Sequence, residues 1–271
     1  MCAMSIPKQL IEGRPELKDW CILSGYRGSV AHGMYVPSND PNSTDDKDTM
    51  YICVPPIEYY FGLKTYGSNG TKEIKLNEWD IVVYEARKFV SLLSKGNPNV
   101  MSLLWLEDNY YINKTAAGRL LIEKRDLFVG RHVFMSFAGY ARGQRKRMLR
   151  INDGTAYMGT KRRELYEKYG YDCKNAAHMI RLLRMGIEFL VDGELHVKRL
   201  DASELLQIKR GEWTLEQVQK EAERLFDKLE LAYINSKLPS QPDMDKVNDL
   251  LNDVIHNDLV SRFELPCLSR L

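Results

Sequence analysis

The stretch GYRGSVAHGMYVPSNDPNSTDDKDTMYICVPP, residues 25 to 56, sets a Gly-Ser turn at one end and a close pair of aspartates at the other. Gly28 and Ser29 follow the apolar run DWCILSG (19 to 25), and Asp46-Lys47-Asp48 leads into a second run, TMYICVPP (49 to 56). Both runs are rich in β-branched or aromatic residues and bounded by turn formers, which predicts strands. On a strand, side chains two residues apart share a face. Asp46 and Asp48 therefore project together, while Lys47 points the other way into a solvated or ion-paired role.

Two carboxylates held close repel one another and lose solvation, a cost that a hard cation such as magnesium offsets. A third strand-like run, EWDIVVYE (78 to 85), carries Asp80. If it lies beside the strand of Asp46 and Asp48, the three carboxylates can surround two metal ions roughly 3.5–4 Å apart. Asp80 is then the natural general-base candidate, although metal activation of the attacking oxygen would serve equally. At the other end of the stretch, a small-residue turn lets backbone N–H groups approach phosphate, and Ser29 adds a hydroxyl. One end can thus hold phosphate and the other the cation. GYRGSVAHG lacks both the P-loop ending and the dinucleotide fingerprint. His32 reads as a turn or core histidine ahead of a substrate contact, and Asp40 and Asp45 read as turn residues.

The remaining sequence divides by periodicity. Helical spacing begins near Glu85 with EARKFVSLLSKG, and Asn97 is placed to cap a helix whose first turn accepts Pro98. Residues 56 to 78 predict a loop or hairpin. From about Ala116 helices dominate. In YDCKNAAHMIRLLRMGIEFLVDG, Ala176, Ile180, Leu183, Ile187 and Leu190 form one apolar stripe. Lys174, His178 and Arg181 lie opposite, with Arg184 near the edge, so the helix has a buried back and a basic front. Gly211 separates two later helices, the second opening on Thr214 with Gln217 three residues on. The organisation predicted is an α/β unit over residues 1–112 followed by a largely helical unit over 113–271.

The net charge of +2 hides a strong asymmetry: residues 139 to 184 carry 12 Lys or Arg against 4 Asp or Glu. A basic middle on an otherwise acidic chain suits a polyanionic ligand. Arg142, Arg145, Lys146, Arg147 and Arg150 belong to this segment and are candidate RNA contacts. Among them lie Tyr140, Tyr157, Tyr166, Tyr169 and Tyr171, whose exposed rings could stack on unpaired bases, with core packing the commoner fate of each. Arg162 and Arg163 read as a solvated face. Five widely spaced cysteines without a CxxC pair indicate neither a disulfide framework nor structural zinc. No apolar run approaches the roughly 20 residues that cross a bilayer, and no signal-peptide pattern opens the chain, so a cytoplasmic location is expected.

GYRGSVAHG, DDKD and EWDIVVYE together resemble the Gly-Ser, paired-aspartate and third-aspartate elements of the DNA polymerase beta-like nucleotidyltransferase superfamily. The match is closer to the predicted nucleotidyltransferases associated with RNA repair. YEARKFVSLLSKGNPNVMSLLWL, FAGYARGQRKRM, GYDCKNAAHMIRLLRMGIEFLVDGEL and LLQIKRGEW resemble that branch in matching order, over roughly residues 20 to 250. The resemblance implies a mixed-sheet catalytic core with a helical substrate-binding companion. It places Gly28 and Ser29 on the phosphate side, Asp46 and Asp48 as paired metal ligands, and Asp80 as the third acidic position. Two magnesium ions, with manganese able to substitute, and a nucleoside triphosphate such as ATP or CTP are the implied cofactor and donor; the choice of base stays open. The basic front of Lys174, His178 and Arg181, read from helical spacing, could face the triphosphate or a nucleic-acid end. The spacer MYVPSNDPNSTD is long for the family, and Thr49 stands where an apolar residue often follows the second aspartate. The expected reaction moves a nucleoside monophosphate to an RNA terminal hydroxyl and releases pyrophosphate. A protein hydroxyl as acceptor, or a silent RNA-binding scaffold, are the alternatives.

Overall fold

The computed structural model describes residues 7–37, 40, 43, 45–149 and 160–268. Two short helices, α1 (Lys8–Ile11) and α2 (Gly28–Ala31), flank strand β1 (Cys21–Tyr26). Strand β2 (Lys47–Cys53) leads through α3 (Glu58–Phe61) to the hairpin of β3 (Thr71–Leu76) and β4 (Trp79–Glu85). The predicted strands in DWCILSG, TMYICVPP and EWDIVVYE are thus β1, β2 and β4. Residues 56 to 78 contribute an edge strand whose turn into β4 uses Asn77 at φ +53°.

Helices α4 (Ala86–Leu93) and α5 (Pro98–Met101) follow, and β5 (Tyr111–Lys114) closes the sheet in the order β3-β4-β2-β1-β5. The expected division after residue 112 falls within β5. The Asn97 cap forms as expected: its Oδ1 accepts from the N–H groups of Asn99 and Val100 at 3.1 and 3.4 Å. β2 runs antiparallel to β1 and parallel to β4, giving a mixed sheet. A parallel pair needs a crossover, here residues 54 to 78. The central strands β1 and β2 are mostly buried, as strands covered on both faces should be. β2 is half-open only at its first two residues, Lys47 and Asp48.

The second part is helical: α6 (Ala116–Glu123), α7 (Val133–Leu149), α8 (Thr160–Tyr169), α9 (Cys173–Asp192), α10 (Ala202–Lys209), α11 (Leu215–Asn235) and α12 (Met244–Leu268). α9 is the central strut, packed by α7, α10 and α11. Its apolar stripe is buried as the spacing predicted, with Ile187 partly open at its margin. Asp172 caps its start by accepting from the Asn175 N–H at 3.0 Å, and Gly193 at φ +74° ends it. α7, α9 and α11 approach closely at Gly186, where a Cβ would lie 3.0 Å from both Leu229 Cδ1 and Phe137 Cβ. Thr214 and Gln217 form the expected capping box at the start of α11.

The two parts share one hydrophobic core. α6 packs on β1, and α12 returns from the far end to cover α4 and α6. Arg262 on α12 donates from Nη2 to the Val54 carbonyl at 2.6 Å, tying that helix to the end of β2. No helix among the described residues is long and apolar enough to cross a membrane. Cys21, Cys53 and Cys173 are buried free thiols. Because Phe137 is fully buried where α7 meets α9, Phe137→Ala is expected to cost about 3–5 kcal/mol of stability, measured by urea denaturation.

Candidate active site

The parallel register of β2 and β4 sets Asp48 opposite Asp80. Neighbouring strands lie about 4.8 Å apart, so the two half-buried carboxylates meet at the open end of the sheet. Arg27, the last residue before the Gly28-Ser29 turn, compensates them. A single nitrogen, Nη2, lies 3.3 Å from Asp80 Oδ1 and 3.7 Å from Asp48 Oδ1. Lys75 reaches Asp80 Oδ2 at 3.3 Å from an exposed position, where an ion pair contributes little. Burial raises the Asp48 carboxyl from its usual range to about 6, with Asp80 and Asp46 adding to the shift and Arg27 and Lys174 opposing it.

Asp46 is exposed and lies just outside β2. Among the described residues no three His, Cys, Asp or Glu side chains are grouped closely enough to hold a metal ion. The pair of Asp48 and Asp80 nonetheless fits one: two hard oxygens converge on a point that already holds a positive nitrogen. Gly28 is required by the same crowding. It sits at φ +61°, and a Cβ there would overlap the Asp48 carboxylate. Glycine was expected here to admit phosphate; what the structure shows is that it makes room for an aspartate.

Gly28, Ser29, Arg27 and Asp48 line a cavity of about 270 Å³ whose opposite wall is α9. Lys174, His178 and Arg181, the predicted basic front, all reach it, as does Lys209 at the end of α10. The N–H groups at the start of a helical turn have no partner within that turn, which suits the turn of Gly28 and Ser29 to an anion. Arg181 is buried, and among the described residues no carboxylate lies within ion-pair distance of it. Its Nη1 instead donates to His32 Nε2 at 2.6 Å, while His32 Nδ1–H donates to the Val197 carbonyl at 2.8 Å. Burial and the neighbouring Arg181 hold the His32 pKa well below its ordinary value, so the ring is neutral and accepts from the arginine. Burial lowers the Arg181 guanidinium to about 9, which leaves it cationic at neutral pH. His32 is therefore the buried histidine that its sequence position favoured, and it orients a cation that faces the cavity.

Asp45 is not a simple turn residue. It is buried, accepts from the Val36 N–H at 3.0 Å, pairs with Lys209 Nζ and lies 3.6 Å from Lys174 Nζ. Lys209 also donates to the Met34 carbonyl at 3.3 Å. Burial lowers its ammonium from the ordinary range against the pull of Asp45. Arg184 belongs to a structural network instead, bound by Asp201, Glu204 and Glu221 at 2.7, 2.8 and 3.1 Å.

The candidate RNA contacts lie away from the cavity, on α7. Arg145 pairs with Glu223 at 3.3 Å and Arg142 covers the Phe226 ring, while Lys146 and Arg147 are exposed. Tyr171 is fully buried, its hydroxyl donating to the Trp213 carbonyl at 2.7 Å, and the Tyr140 hydroxyl accepts from Asn97 Nδ2 at 2.8 Å. Arg150 and Tyr157 lie outside the described residues. Sequence reasoning missed Arg27 and Lys209 as parts of the site. For Lys209 a signal existed: it continues the buried spacing of Leu205 and Ile208, and a lysine within an apolar stripe needs a partner.

The model of the RNA repair pathway DNA polymerase beta family matches residues 20–253. No curated protein matches the sequence. Among solved structures, a nucleotidyltransferase-like protein from Exiguobacterium sibiricum 255-15 is similar over 84% of this chain and 73% of its own, with 12% identity and a TM-score of 0.30.

Two outcomes test this geometry. Gly28→Ala is expected to lose about 1–3 kcal/mol from backbone strain alone, seen as a lower urea midpoint. Asp48→Asn should stabilise the protein in EDTA at neutral pH. Near pH 4 the folded Asp48 is protonated, so the variant gains little there. The gain grows as pH rises toward about 6, where the folded carboxyl ionises, and then levels off. Melting temperatures of both proteins from pH 4 to 8 measure it.

Proposed function

The chain belongs to the RNA repair pathway DNA polymerase beta family and is a nucleotidyltransferase; from this premise we propose that it moves a nucleoside monophosphate from a nucleoside triphosphate to an RNA terminal hydroxyl, releasing pyrophosphate. The observation that carries the reading is one cavity with Asp48 on its sheet wall and Lys174, Arg181 and Lys209 on its helical wall. Such a cavity suits a polyanion that must also meet a carboxylate-bound cation.

In this reading Asp48 and Asp80, with Asp46 at the rim, hold magnesium, and manganese substitutes for it. Two ions are expected. A divalent cation there supplies charge neutralisation at the triphosphate and a more acidic attacking hydroxyl. The chain's own groups do the rest. The Gly28-Ser29 turn and the Ser29 hydroxyl hold phosphate oxygens. Lys174 and Arg181 neutralise the outer phosphates, with His178 beside them. Arg181 arrives already oriented by His32, so little conformational freedom is lost when phosphate binds. In the same reading Asp80 takes the proton of the attacking hydroxyl if it contacts that oxygen, a task that metal activation would serve equally. The sheet up to residue 112 acts as the catalytic core and the helical remainder as the substrate-binding part. Arg142, Lys146 and Arg147 offer salt-sensitive attraction for the RNA backbone, with Arg145 partly committed to Glu223.

The test is mass spectrometry after incubating the protein with a defined RNA pool, Mg²⁺ and each nucleoside triphosphate in turn. An RNA mass increase of one or more nucleoside monophosphates is expected with the wild type and is lost in Asp48→Asn and Asp80→Asn. A mass increase on protein in place of RNA would move the acceptor to a protein hydroxyl. No transfer to either, with RNA binding retained, would make the chain a scaffold.

A further inference from the structure

Arg27 is half-used. Its Nη2 bridges Oδ1 of both Asp48 and Asp80, whereas its buried Nε has no hydrogen-bond partner. The side chain also lines the cavity, beside Gly28 and Ser29. Its backbone is fixed, since the Arg27 N–H donates to the Asp48 carbonyl at 3.0 Å. The side chain can therefore turn without moving β1. A guanidinium and a divalent cation cannot both occupy the point where the two Oδ1 atoms converge. A planar fork displaced from carboxylates finds an equivalent partner in phosphate oxygens, and phosphate is the ligand proposed for this cavity.

We propose that Arg27 is the built-in counter-cation of the metal-free carboxylate pair and that a divalent ion displaces it toward substrate phosphate, so that metal and phosphate binding reinforce one another. The inference rests on the reading of Asp48 and Asp80 as the metal site. Before metal arrives, Arg27 offsets the repulsion of two half-buried carboxylates. Once released it adds a fourth cation to Lys174, Arg181 and Lys209 in the same cavity. Because the coupling is an equilibrium property, phosphate must favour metal by the same factor that metal favours phosphate. The enzyme would thereby fill its metal site most readily when triphosphate is present.

The test uses the full chain and Mn²⁺ alone, with binding read from the paramagnetic resonance of the free ion, in the presence and absence of sulfate as a weakly chelating stand-in for phosphate. Arg27→Gln is expected to bind Mn²⁺ about tenfold more tightly than wild type without sulfate, a factor within the usual range of coupling between sites. Sulfate should tighten Mn²⁺ binding several-fold in wild type and leave Arg27→Gln unchanged. Circular dichroism and a cooperative melt establish that each variant folds. Should Arg27→Gln fail to fold, Arg27→Lys keeps the charge but not the fork. It is expected to bind Mn²⁺ nearly as wild type does while losing the sulfate effect, and retention of that effect overturns the proposal. If Arg27→Gln binds Mn²⁺ no more tightly while Asp48→Asn abolishes binding, the metal site stands and the role of Arg27 falls. If Asp48→Asn binds Mn²⁺ as wild type does, the carboxylate site and the role of Arg27 fall together.

Discussion

The parallel pairing of β2 with β4 is the constraint from which the candidate site follows. It aligns Asp48 with Asp80 across one strand spacing, an arrangement that is unfavourable without a cation because both carboxylates are partly withdrawn from water. The surroundings answer that cost. Gly28 leaves room for one carboxylate, Arg27 bridges both, and Lys75 touches the outer one. The long crossover through α3 and β3 exists to make this pairing possible, since parallel strands cannot be joined by a tight turn. Local chemistry and sheet topology are thus parts of one solution.

The opposite wall is built on a different principle. Lys209 has a carboxylate, Asp45, but Arg181 is buried beside a neutral histidine with no acidic partner at ion-pair distance among the described residues. A buried cation without a counter-charge is costly. Such a group makes sense where a ligand brings the missing negative charge, and the cost becomes selectivity for that ligand. The neutral state of His32 matters here: a protonated ring would repel Arg181, and a carboxylate in its place would satisfy Arg181 and dull its attraction for the phosphate proposed for this cavity.

Much of this was legible in the residues because the signals were local or periodic. The strands around residues 21, 50 and 82 came from β-branched runs, the two faces of α9 from helical spacing, and the caps at Asn97 and Thr214 from short-range hydrogen-bond chemistry. β5 was missed, as YINK is short and half-exposed on an edge. Asp45 was misread because its partners, Lys174 and Lys209, lie on helices far along the chain, and no local pattern reveals a pairing of that span. Arg27 was overlooked beside the more conspicuous Gly28 and Ser29. Asp46 shows the limit of strand periodicity: it precedes the first paired residue of β2, so the rule that residues two apart share a face does not bind it.

The anchoring of Asp45 has a further effect on how this chain tolerates change. Its carboxylate accepts from the Val36 N–H while the Ser43 hydroxyl donates to the Val36 carbonyl at 2.7 Å. The two ends of the connection between α2 and β2 are therefore stitched together just before the strand that carries Asp48. A closed stem isolates what lies beyond it. Chain length between the stitched residues enters only through loop-closure entropy, about 0.6 kcal/mol for each doubling. The spacer between Val36 and Asp45 can therefore change in length without shifting the register of Asp48 against Asp80.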